Sequence, residues 1–178
     1  MKLQAVTLLA VLATIIVAGC GGSDNTSSSS LGNSTDRAFV ADMVPHHKSA
    51  VEMATIARQR GQSQFVKTLA GNIVRTQTAE ISTMQSEDKK LADAGLKKGD
   101  LGMSMDKMGM SMDTGMLKTA SPFDPAFLKM MIPHHKGAVT MARMELDKGK
   151  DAKLKTLARH IISTQNKEIA EMNAHLQS

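Results

Sequence analysis

Two pairs of adjacent histidines, His46-His47 and His134-His135, each follow a proline and stand one turn after a methionine, Met43 and Met131. Those donor types together suit particular metals. Thioether sulfur prefers soft ions such as Cu(I) and Ag(I), whereas imidazole also accepts Cu(II), Zn and Ni. Met103, Met105, Met108, Met110, Met112 and Met116 crowd a short stretch rich in Gly, Ser and Asp, which break both helical and strand patterns. On a mobile loop, Met-x-Met and Met-x-x-Met spacings let two or three sulfurs converge on one Cu(I). The same stretch also reads as an adaptable apolar loop packed on the fold, or as an oxidation sink.

The rest of the composition narrows the classes. The chain has 178 residues, 15 of them Met, with 4 Phe, no Trp, no Tyr and one Cys. Its net charge of +5 comes from Lys and Arg scattered among acids, without a basic block that would grip a phosphate backbone. Stacking aromatics are nearly missing as well, so a nucleic-acid partner is not expected. A lone cysteine excludes an internal disulfide framework, a thiolate zinc site and a Cys-ligated iron–sulfur cluster.

Lys2 and the apolar run Ala5–Ala18 lead into Val17-Ala18-Gly19-Cys20, which resembles a bacterial lipobox. The run is short for a bilayer span, which takes about 20 residues, so residues 1–20 read as a lipoprotein signal peptide with Cys20 as the lipidated residue. Residues 21–35, with Ser27 to Ser30, read as a flexible tether. The folded part, 36–178, is then expected outside the cytoplasm, anchored to a membrane by lipid.

The donors must be positioned by a duplication. Residues 36–85 align with 124–173 without a gap: Met43-Val44-Pro45-His46-His47-Lys48 over Met131-Ile132-Pro133-His134-His135-Lys136, and Glu80-Ile81 with Met84 over Glu168-Ile169 with Met172. Each repeat (36–92 and 124–178, joined by the Met-rich connection 93–123) reads as two helices. The first begins at an N-cap candidate, Thr35/Asp36 or Asp124, and ends at Gly61 or Gly149. The second begins after Ser63 or Asp151. Pro45 and Pro133 either kink the first helix or start its main segment. No stretch alternates as a strand does, and two helical hairpins that cannot bury their stripes alone dock as a four-helix bundle.

Projection at 100° per residue places Glu80 and Glu168 in the middle of apolar stripes, with Gln77 and Gln165 beside them. A carboxylate there is expensive unless paired, protonated or bound to metal. On the first and third helices, adjacent histidines straddle the stripe, so at most one of each pair is expected to face the centre squarely. Small Ala50, Ala54, Ala138 and Ala142 allow close helix approach. His160 reads as a surface residue and His175 as a candidate auxiliary ligand; Glu145, which replaces Ala57, is an inward acid without an assigned role.

The pattern Asp-x-x-Phe, Met-x-Pro-His-His, Met-Ala and Gln-x-x-Glu-Ile-x-x-Met occurs here as Asp36, Phe39, Met43, Pro45-His46-His47, Met53-Ala54, and Gln77 with Glu80-Ile81 and Met84. It recurs from Asp124 through Met172. It closely resembles the domain of unknown function 305 family, with its CopM-type copper-binding members. The resemblance implies an all-α, ferritin-like four-helix bundle outside the cytoplasm, and copper binding through Met and His linked to copper resistance. His175 departs from the Trp often found there in the family.

The expectation is therefore a lipid-anchored, non-enzymatic protein of the cell envelope that sequesters or transfers Cu(I), or Cu(II), with Ag(I) as a mimic and a copper-transfer protein as partner. Its ligands would be Met43, His46, His47, Met53 and Met84 in one half, and Met131, His134, His135, Met141 and Met172 in the other. The Met103–Met116 loop would capture soft ions, while Gln77, Glu80, Gln165 and Glu168 stand behind the ligands and orient them. Binding through His is expected to weaken below about pH 6, where an ordinary imidazole protonates. Two alternatives are a ferritin-like di-metal oxidase or peroxidase, which the inward glutamates favour but the missing Glu-x-x-His spacing does not, and a metal-free module binding a partner at the envelope.

Overall fold

The structure, a computed structural model, describes residues 31–178. The signal segment, Cys20 and all but the end of the tether lie outside the described residues. Four helices follow in order: α1 (Ser34–Arg60), α2 (Gln64–Asp93), α3 (Phe123–Lys148) and α4 (Ala152–Gln177), with a short 3-10 turn at Thr114–Lys118 before α3. Among the described residues none is in a strand, and no helix is long and apolar enough to cross a membrane. Both inner prolines lie within continuous helix: α1 runs through Pro45 and α3 through Pro133.

The helix starts show why the duplicated aspartates occur. Ser63 and Asp151 cap α2 and α4 as expected, but α1 is capped by Asn33, with Asp36 completing a capping box, and α3 begins after Pro122 without a side-chain cap. The carboxylates of Asp36 and Asp124 reach the opposite hairpin instead. Asp36 accepts the backbone N–H groups of Lys150 and Asp151, each at 2.9 Å. Asp124 accepts those of Gln62 and Ser63, each at 2.8 Å. Each repeat thus satisfies the backbone amides of the turn that leads into the other repeat's second helix. Asp36 and Asp124 are buried, and the swap ties the two hairpins together at both ends of the bundle.

Packing is uneven. α1 lies along α2 and α3 along α4, and the hairpins join chiefly through α1 and α3, while α2 and α4 touch little. The fully buried Ala50, Ala54, Ala138 and Ala142 permit the close α1–α3 approach. Apolar side chains gather in two clusters. One takes the second half of α1, the first halves of α2 and α3, and Met172; the other takes the complementary halves with Phe39, Leu154 and Ile161. On every helix the residues between the clusters are polar: His46-His47, Gln77 with Glu80, His134-His135, and Gln165 with Glu168. A buried polar layer therefore crosses the middle of the core.

The Met-rich connection lies on the α1–α3 face as a hydrogen-bonded structure. Arg37 holds the carbonyl of Leu96, and Arg60 holds those of Leu117 and Ala120 (3.0 Å for the last). At its centre the backbone of Met108-Gly109 presses directly on α3. A Cβ on Gly137 would sit 2.0 Å from the Met108 carbonyl oxygen, and one on Gly109, whose φ is +71°, would sit 2.4 Å from that of Pro133.

Candidate metal centre

All four histidines of the two pairs are buried, which the expectation of one inward ring per pair did not foresee. Each ring of a pair has its own direction. His46 and His134 meet across the α1–α3 seam, with ring centroids 3.7 Å apart and planes tilted by 32°. His47 and His135 turn toward α2 and α4. His47 Nε2 lies 2.8 Å from Glu80 Oε2, and His135 Nε2 lies 2.8 Å from Glu168 Oε2.

These contacts fix the ring chemistry. An ionised carboxylate only accepts, so Nε2 of His47 and His135 carries the proton and donates it. In the neutral ring the lone pair is then left on Nδ1. His46 Nε2 likewise donates to the Met108 carbonyl oxygen, 2.9 Å away. Nδ1 of His46, His47 and His135 is buried without a hydrogen-bond partner, and both ring nitrogens of His134 are too. Side-chain atoms of Gln77 and Gln165 in the same layer are also unpartnered. Buried polar atoms left without a partner are uncommon, and here they are concentrated in one layer.

Burial also sets the charge. It pushes His46 down to about 3, helped by the neighbouring His47, and holds His134 well below the ordinary imidazole range, with His46 as the next cause. These rings stay neutral far below pH 6. The acid weakening expected there belongs to exposed imidazole and does not carry over to this interior pair.

Sulfur surrounds the layer. Met43, Met84 and Met141 share one apolar cluster, while Met53, Met131 and Met172 share the other, and all six are at most 1% exposed. Each trio draws on three helices and on both repeats. Met53 and Met141, assigned by sequence to their own repeats, sit in space with the methionines of the other. Among the described residues, no three His, Cys, Asp or Glu side chains converge as a metal site.

The connection divides its methionines. Met108 is buried and Met103 and Met110 pack against the cluster of Met43, Met84 and Met141, whereas Met105, Met112 and Met116 are exposed. The loop reaches the histidines through the Met108 carbonyl on His46. On the opposite face, where α2 and α4 diverge, Glu168 lines a groove of about 500 Å³ with Asn72 and Lys167. Glu80 lines a smaller one of about 280 Å³, where the exposed His160 comes within 3.8 Å of its second oxygen. His160 is a surface residue, as its position on the stripe's edge suggested. His175 does not join the layer: it stacks on Phe65 at 4.4 Å and lines a surface groove with Asp124.

Sequence reasoning left Glu145 without a role. It is fully buried against Asp36, and burial followed by the Asp36 carboxylate raises it to about 9, so it is a neutral acid at pH 7. Both of its oxygens are buried without a hydrogen-bond partner.

Comparison with known proteins places this architecture. The DUF305 profile, a domain of unknown function, matches residues 36–176. CopM in its Cu(II)-bound form is similar, at 34% identity and a TM-score of 0.70 over 80% of this chain and 95% of that one. The Cu(I)-bound form gives 33% and 0.67 over the same shares, and CopM structures with Ag bound also match. A DUF305 fragment from Deinococcus radiodurans matches at 31% identity and a TM-score of 0.67, over 80% of this chain and 95% of that one. The uncharacterized protein L153 of Acanthamoeba polyphaga mimivirus is 45% identical over 53 residues, 30% of this chain and only 35% of the mimivirus protein. From its profile match and its fold, the chain belongs to the DUF305 family.

Proposed function

We propose that this protein is a copper-binding protein of the cell envelope, lipid-anchored at Cys20, that holds Cu(I) in the polar layer of its bundle and passes it on or keeps it sequestered. The observation that carries the reading is the set of buried, unpartnered imidazole nitrogens between two trios of buried methionines. Neutral nitrogen and thioether sulfur suit Cu(I) and Ag(I), and imidazole extends the range to Cu(II). The likeness to CopM, solved with copper and silver, supports the same reading.

In this account Glu80 and Glu168 are positioning residues. Each holds Nε2–H of its histidine and leaves Nδ1 free to ligate, the arrangement by which a carboxylate orients a metal-binding imidazole. Met43, Met84 and Met141, with Met53, Met131 and Met172, supply sulfur from either side. Copper is cargo, the membrane anchor keeps the protein where copper arrives, and transfer to a partner protein and protection against copper or silver excess follow from that placement.

An anaerobic Cu(I) titration against a competing chelator tests this. His46→Gln with His135→Gln should lower stoichiometry or affinity, and Met43→Leu with Met172→Leu should do so without altering the fold. Unchanged stoichiometry and affinity in both double variants would overturn the proposal.

A further inference from the structure

Met130 stands outside the duplicated pattern. The matching position of the first repeat is Asp42, and Met130 sits at the edge of the apolar cluster of Met53, Met131 and Met172. There it shares a cavity of about 370 Å³ with Met112 and Met116 of the connection. Met130 is 8% exposed, Met112 40% and Met116 62%, so one lining methionine is buried and two are exposed.

The segment carrying the outer sulfurs is held in place. The Asp113 carboxylate accepts the N–H of Gly115 at 2.8 Å and caps the 3-10 turn, and Arg60 grips the carbonyls of Leu117 and Ala120 while stacking over Phe123 at 5.1 Å. The lining contains no carboxylate and no imidazole, and its charged member is Lys129. A hard divalent ion finds no charged oxygen there, and the ammonium repels two charges more than one. A soft monovalent ion with a partly covalent preference for sulfur meets the smaller penalty and the right donors.

We propose that Met112, Met116 and Met130 form a surface three-thioether site that captures a soft monovalent cation, Cu(I) or Ag(I), separately from the histidine layer. This rests on the soft-metal reading above and names where the ion is first held. Thioethers do not titrate, so capture at this site is independent of pH, and two exposed arms allow the ion to leave as readily as it arrives.

The test is an Ag(I) titration of the full chain labelled with 13C at the methionine methyls, in chloride-free buffer, with native mass spectrometry counting bound ions. The methyl signals of Met112, Met116 and Met130 should shift together, and Zn(II) should move none of them. Met130→Leu should bind one Ag(I) fewer, with the shifts of Met43 and Met172 preserved. Met116→Ala, at a largely exposed position that cannot compromise folding, should show the same loss. If all three methyls stay put, or if both variants bind as many ions as tightly as the parent, the surface site is refuted. Should the interior methyls move while these three do not, this inference fails and the histidine-layer proposal stands; should none move, both fail.

Discussion

Replacing Glu145 by Gln isolates one buried charge whose effect has a worked sign and size. The folded-state acid is raised from an ordinary 4.5 to about 9 by burial and by Asp36, with Asp151 adding to the shift and Lys155 opposing it. The folded protein therefore keeps a proton that the unfolded chain has released. Between about pH 4.5 and 9 the unfolded state binds fewer protons, so stability falls as pH rises. Each pH unit in that window is worth about 1.4 kcal/mol, giving a ceiling of about 4 kcal/mol between pH 5 and pH 8. Water penetration and screening beside Lys155 reduce this to roughly 1–3 kcal/mol. A glutamine keeps the volume, carries no charge and does not titrate. Urea unfolding of both proteins at a series of pH values is the assay. The two should agree near pH 4.5, and Glu145→Gln should become progressively more stable toward pH 8. Parallel stability curves, or a variant that loses ground as pH rises, would refute the assignment of Glu145 as a proton-holding acid.

Other outcomes follow from the same structure. Asp124→Asn and Asp36→Asn each weaken charge-assisted bonds to the opposite hairpin and should cost about 1–3 kcal/mol in denaturant titrations. Gly137→Ala puts a methyl into the Met108 carbonyl and should free the connection from α3, seen as faster amide exchange at residues 105–110 with the helices still protected. Glu168→Gln removes an acceptor that fixes its histidine, and 15N spectra of the His135 ring should move from one tautomer toward a mixture; an unchanged spectrum counts against the positioning role. The metal-free protein should lose stability as pH falls below about 6.5, because the unfolded chain then protonates imidazoles that the fold keeps neutral at His46 and His134. Measuring the pH series on the Glu145→Gln background keeps the opposing acid out of that reading.

Much of this was legible before any coordinates. Periodicity, the duplication, and Glu80 and Glu168 stranded in apolar stripes were enough to expect a helical bundle with inward carboxylates. What could not be read is tertiary. The duplication suggested that each repeat keeps its own ligands, but helices packed antiparallel exchange their ends, so Met53 joins Met131 and Met172 while Met141 joins Met43 and Met84. Asp36 and Asp124 look like N-caps of their own helices; only the packing of the hairpins shows that their carboxylates hold the turn of the opposite one. His46 and His134 meet across the α1–α3 seam. Close helix approach was foreseeable from the small residues, but this ring-to-ring contact was not. The connection reads as mobile from its Gly and Ser content, yet its backbone docks on α3 where Gly109 of the connection and Gly137 of the helix allow close approach, which composition does not reveal. Met130 lacks any motif, and only its cavity brings it together with Met112 and Met116.

The central claim is that imidazole nitrogen and thioether sulfur from both repeats hold copper together. X-ray absorption at the copper edge of the Cu(I)-loaded protein tests it most directly. The account predicts sulfur and nitrogen scatterers in the same first coordination sphere, with the nitrogen contribution lost when His46 and His135 are both replaced by Gln. A copper environment of oxygen and nitrogen alone, or one of sulfur alone that is indifferent to those histidines, would contradict it.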